Sequence, residues 1–98
     1  MFVILTTKPG QYRTEAGAAF RPVESYDYLM FGRCLAHFVI AEQLGDEKVS
    51  VIDEVFPPVT NRVPAKFFVK YPTVERARAE LEHLVAFGSM QTGLERVA

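Results

Sequence analysis

One thiol, two imidazoles and a scatter of carboxylates are the groups in this 98-residue chain that could carry chemistry. Cys34 and His37 stand three apart, and a thiol becomes a useful nucleophile when an imidazole lies beside it and a third group orients that imidazole. Three-residue spacing places two side chains on one face of a helix but on opposite faces of a strand. Whether the pair can cooperate therefore depends on the structure around it, and the strand reading adopted below separates the two. On that reading His37, among Leu35, Ala36, Phe38 and Val39, is first a hydrogen-bonded core or interface histidine, and Cys34 is an incidental thiol.

The carboxylates give a third candidate. Asp53 and Glu54 are adjacent, so on a strand they point to opposite faces and cannot serve one substrate as acid and base. Asp53 interrupts an otherwise apolar face and needs a partner there, for which Arg33 and Arg62 are the candidates, because burying a lone carboxylate is costly. Its structural role comes first and a ligand contact second. His37, Asp53 and Cys34 are thus the only candidates for catalysis, and no catalytic residue is assigned. His83 falls on the polar side of a predicted helix. Two histidines far apart and a single cysteine offer no metal-ligand spacing, so neither a metal nor a cofactor is expected. Tyr26 and Tyr28, with Arg33 and His37, form the candidate ligand or interface set, since tyrosine presents an apolar body and a wet tip, and Tyr12 belongs to the same class.

Composition narrows the function classes. With 49% apolar residues the chain is long enough to bury one core and too short for two, which predicts a single domain over residues 1–98. Eleven basic and twelve acidic residues, scattered rather than striped, supply no field for nucleic acid. One cysteine excludes an internal disulfide. No apolar run approaches the ~20 residues needed to span a bilayer. The opening Met1–Lys8 lacks a basic region ahead of its short apolar run, so no secretory signal is read there and a cytoplasmic location is expected.

The elements that must position these groups follow from periodicity. Phe2–Thr7 is short and rich in β-branched residues, and Lys8-Pro9-Gly10-Gln11 suits a type II turn with Pro second and Gly third. Tyr12–Pro22, with Gly17, has no strong period and receives no assignment. Next come Tyr26–Phe31 and Cys34–Gln43 about a turn at Gly32-Arg33, then Lys48–Phe56, together an antiparallel meander over Tyr26–Phe56. The competing reading is one helix, Tyr26–Leu44, capped by Ser25 and ended by Gly45. Against it stand Gly32 in its interior, at about 1 kcal/mol relative to Ala, and an apolar surface running nearly all round. The aromatic and β-branched residues also fit a pleated surface better. Pro57-Pro58 ends the last strand, Val59–Ala65 reads as a loop, and Lys66–Tyr71 as a short extended piece.

Thr73–Phe87 is the one clear amphipathic helix, with Thr73 as N-cap, Glu75 in its first turn and Gly88 just beyond its end. Val74, Ala77, Leu81, Leu84 and Val85 form its apolar stripe, which must cover a sheet face, while Arg76, Arg78, Glu80, Glu82 and His83 solvate the other side. The tail Ser89–Ala98, with Leu94 and Val97, is expected to pack on its own domain or on a second copy. The fold class is therefore α+β, a small antiparallel sheet of meander plus N-terminal strand under one helix.

The opening Phe2–Gly10, a strand followed by Lys-Pro-Gly, is similar to the start of small dimeric α+β barrel proteins related to antibiotic-biosynthesis monooxygenases. The likeness covers nine of 98 residues. It implies a ferredoxin-like sheet, paired subunits and an apolar pocket between sheet and helices. That family places an amphipathic helix straight after the first strand, and Tyr12–Pro22 does not supply one. Two functions are carried forward. The first is a non-enzymatic accessory or protein-interaction domain that associates with itself or another protein, with no nucleic acid or membrane partner. The second is a small-molecule-binding or cofactor-free enzyme domain, its pocket beneath the helix lined by Phe31, Phe38 and Phe67 with His37 or Asp53 at the mouth.

Overall fold

Alternating apolar side chains on Phe2–Thr7 (β1) and Arg33–Gln43 (β4) give one sheet two buried faces. The computed structural model describes residues 1–85 and 92–98. Its first sheet has four antiparallel strands, with β4 between β1 and Phe20–Met30 (β3), and Thr92–Arg96 (β7) outside β3. The second sheet is formed by Tyr12–Glu15 (β2), Val49–Asp53 (β5) and Thr60–Val63 (β6), with β5 central. A single helix, Val74–Val85 (α1), completes the described α+β fold.

The chain therefore has the expected class, and the long apolar block is pleated rather than coiled. Tyr26–Gln43 forms the expected hairpin, but its turn residues are Phe31 and Gly32, both at positive φ (51° and 78°), one position earlier than read. Two successive positive φ values match the turn whose twist suits a two-residue hairpin. The meander itself is corrected at its third strand. β5 does not return beside β4, because β1 occupies that edge, and it pairs instead with β2 and β6. Tyr12–Pro22, which has no strong period, supplies β2 and the start of β3, and Val59–Ala65, expected as a loop, contains β6. Lys66–Tyr71 is not one extended piece: a 3-10 turn spans Ala65–Phe67, and Tyr71 then bridges to Phe2. The turn at Lys8–Gln11 is as expected, closed by Gln11 N–H donating to the Lys8 carbonyl at 3.0 Å, with Gly10 at φ 80°. With β2, not a helix, after β1, the chain departs from the dimeric barrel pattern.

On one face of the four-stranded sheet, Tyr26, Ala36, Phe38 and Ile40 pack against Ala77 and Leu81 of α1, with Phe2, Ile4, Val74 and Leu94 around them. Each buried leucine there is worth about 1.5–3 kcal/mol. The Thr73 hydroxyl accepts the Arg76 N–H at 3.1 Å, the expected cap. Arg78 departs from its solvating role. It crosses to Glu24 on β3, with Nε and Nη2 at 3.0 and 2.5 Å from the two carboxylate oxygens, while the Tyr26 hydroxyl donates to the same carboxylate at 2.6 Å. Glu24 is 6% exposed. The Arg78 hydrogen bond outweighs the burial that opposes it, and holds this carboxyl down to about 2. Arg96 of β7 stands 3.7 Å from it, so one buried carboxylate ties sheet, helix and last strand together. The tail packs on its own domain through β7. The expected helix end at Phe87 and Gly88 and the start of the tail lie outside the described residues.

The opposite face buries Val3, Leu5, Phe20 and Ala41 against Val49 of the second sheet and Ala65, with Val39 and Phe68 at the edge. No helix among the described residues is long and apolar enough to cross a membrane.

Candidate functional site

Register places the site. Thr7 of β1, His37 of β4, Asp27 of β3 and Glu95 of β7 stand directly opposite one another across the four strands. Residues so aligned share one sheet face. This is the face turned toward the second sheet, and it carries His37 away from the helix. Where β2 crosses the end of β1, the two sheets do not close. A cavity of about 290 Å³ remains, walled by Leu5, Phe20, Pro22, Val39 and Ala41, with Ala16, Thr7, Thr14 and His37 completing it.

The polar groups of this cavity are held in place by defined bonds. His37 Nδ1 lies 2.7 Å from Asp27 Oδ1. An ionised carboxylate only accepts, so Nδ1 carries the proton, and Nε2 is left with its lone pair when the ring is neutral. Thr7 Oγ1 accepts the Thr14 N–H at 3.0 Å, which leaves its own proton to donate. The Thr14 hydroxyl donates to the Thr6 carbonyl. Thr7 and His37 are direct cross-strand neighbours, with Cβ atoms about 4.5–5.5 Å apart. An oriented imidazole and an oriented hydroxyl thus stand side by side in an apolar wall, which is the usual make-up of a ligand site.

Cys34 requires a correction. The expected opposition of Cys34 and His37 assumes strict alternation along β4, and β4 does not alternate strictly. Tyr28 pairs with Ala36 but Leu29 pairs with Cys34, so Leu35 is an extra, bulged residue. The bulge reverses the parity of everything before it, and Cys34 comes to the same face as His37, beside Asp27. This does not activate the thiol. Loss of solvent, and then the Asp27 charge, push its pKa up, and Sγ donates to the Ala36 carbonyl at 3.4 Å. A thiolate nucleophile needs a depressed pKa, so the arrangement is chemically a carboxylate-oriented histidine with a quiet thiol nearby.

The other expected site residues lie elsewhere. Tyr26 is buried and bonded to Glu24 on the helix face, and Tyr28 packs beside it. Arg33 is exposed beside the hairpin turn. Asp53 ends β5 opposite Tyr12 and borders a different groove with Arg13 and Phe56, and no ion pair joins it to Arg33 or Arg62 among the described residues. The cavity at His37 lies on the face away from the helix; a groove of about 470 Å³ does lie on the helix side, lined by Tyr28, Phe38 and Leu84 with Lys8 and Gln11, but Phe31 and Phe67 are exposed outside it and neither His37 nor Asp53 lines it. Asp27, Thr7 and Thr14 were not legible as site residues. The one available signal was an acidic residue between Tyr26 and Tyr28 in an apolar strand. Among the described residues, no group of three or more His, Cys, Asp or Glu side chains is arranged to hold a metal ion.

No family model matches the sequence, and the searches of curated proteins and of solved structures return no match.

Proposed function

We propose that this chain is a small-molecule-binding domain that holds a compact, largely apolar ligand between its two sheets. The observation that carries this reading is the 2.7 Å bond from His37 to Asp27 at the wall of a 290 Å³ cavity. The carboxylate fixes one ring nitrogen of a half-exposed histidine that lines the hollow together with Thr7, so the imidazole is oriented where a ligand could meet it. The volume lies at the lower end of the range for ligand sites, about 300–1,000 Å³, which favours a ligand of a single ring or short chain. Amide chemical-shift titration with a library of single-ring fragments tests it. Shifts concentrated on Thr7, Thr14, His37 and Val39, abolished by Ala16→Trp at the exposed rim, are the expected result. Fragments that perturb only other surfaces, or none, refute the reading.

A second reading, association with another copy of the chain, is supported by Phe31. This side chain is 69% exposed and sits at φ 51°, a left-handed conformation that is costly for a bulky residue. Sedimentation velocity distinguishes it: self-association weakened by Phe31→Asn supports an interface at the hairpin tip, and a concentration-independent monomer removes it.

A further inference from the structure

Resting on the pocket reading above, we infer that the ligand is an uncharged molecule bearing a hydroxyl group, selected against carboxylates, ammonium ions and plain hydrocarbons of the same shape. Hydrogen-bond matching and charge select it. The Thr7 hydroxyl has a proton to give, since its oxygen already accepts the Thr14 N–H. His37, with Nδ1 donated to Asp27, has in its neutral form a lone pair on Nε2 to receive. One ligand atom that accepts from Thr7 and donates to Nε2 satisfies both, and a hydroxyl oxygen is that atom.

The alternatives fail on stated grounds. A carboxylate has no proton for Nε2. None of the residues lining the cavity is Lys or Arg. The cations nearest in sequence are engaged elsewhere: Arg13 pairs with Glu15 at 3.1 Å, Arg21 pairs with Glu42 at 2.5 Å, and Lys8 borders a groove on the helix side with Tyr28 and Phe38. An ammonium ion has no acceptor for the Thr7 proton and would enter an apolar wall charged, which is costly. A methyl group leaves both protein groups unmatched once water is displaced, which also costs affinity.

The test is a matched series of benzyl alcohol, benzoate, benzylamine and toluene, each titrated into the intact chain and read by amide and imidazole chemical shifts. Benzyl alcohol is expected to bind about tenfold more tightly than toluene, the scale of one or two well-made hydrogen bonds, with benzoate weakest and the shifts centred on Thr7 and His37. Thr7→Val and His37→Leu should each remove most of the alcohol's advantage over toluene while toluene still binds, which also shows that the variants are folded. Toluene, benzylamine or benzoate binding at these residues as tightly as the alcohol overturns the selectivity and leaves the pocket reading standing. No shift at the pocket residues with any of the four overturns both.

Discussion

At the scale of single residues, two carboxylate-centred arrangements divide the molecule's polar chemistry. His37 with Asp27 faces the inter-sheet cavity, while Glu24 with Arg78 and Tyr26 is sealed under the helix. The second is a structural pin, and its sign with pH follows from its lowered pKa. Glu24 falls from an ordinary 4.5 to about 2 in the folded state. Its ionised form is thus favoured by folding, so its contribution is complete above about pH 4.5 and is lost as pH falls toward 2. Acid unfolding monitored by circular dichroism should show wild-type stability declining by a few kcal/mol across that window. Glu24→Gln should lose stability at neutral pH, because the charge that strengthens the Arg78 and Tyr26 hydrogen bonds is gone, and should flatten the acid decline. An unchanged acid profile in the variant would place the pH dependence elsewhere. His37 was legible in the sequence as a polar residue in an apolar run, but its partners were not. Asp27 and Thr7 join it only through cross-strand register, and Cys34 joins the same face only through the Leu35 bulge, which no periodicity announces.

At the scale of elements, the hairpin and the helix were readable and the short strands were not. The β-branched and aromatic density of Tyr26–Gln43 and the cap-to-stripe pattern from Thr73 are strong local signals. Tyr-Arg-Thr-Glu in β2 and Thr-Asn-Arg-Val in β6 are mostly polar, and both lie at edges of a sheet whose centre, β5, gives them their structure. Pairing rather than propensity decides such segments. Two substitutions test the elements that were read. Leu81→Ala, at a fully buried position in the helix stripe, should cost about 2–5 kcal/mol by denaturant titration; a loss below half a kcal/mol, taken as roughly the noise of surface substitutions, would misplace the stripe. Phe31→Asn should instead stabilise the chain, by about 0.5–1 kcal/mol, because Asn before Gly tolerates the positive φ that Phe resists and Phe31 has little burial to lose. Destabilisation of that variant would mean the exposed ring packs on something in solution.

At the scale of the whole molecule, the four-stranded sheet is sandwiched between α1 and the second sheet, and the two cores differ in what closes them. The helix side is locked by the Glu24 cluster. The other side is closed by β2 and β5 only part of the way, and the cavity is where closure stops. This layering was the least legible feature, since it depends on β5 leaving the meander for a second sheet, a long-range choice that its own Val-Ser-Val-Ile-Asp does not encode. Native-state hydrogen exchange should reflect it: amides of β4, paired on both sides, should exchange most slowly, and those of the edge strand β6 most quickly. Equal protection in β4 and β6 would contradict the layering.

Ligand recognition at His37 depends on which ring nitrogen carries the lone pair, and long-range proton–nitrogen correlation of the imidazole rings reads this directly. At a pH where the ring is neutral, the structure predicts protonation at Nδ1, with Nε2 showing the shift of an unprotonated nitrogen that moves when benzyl alcohol is added. A ring protonated at Nε2 and indifferent to Asp27→Asn would show that the carboxylate does not orient it, and the proposed site would have no acceptor to offer.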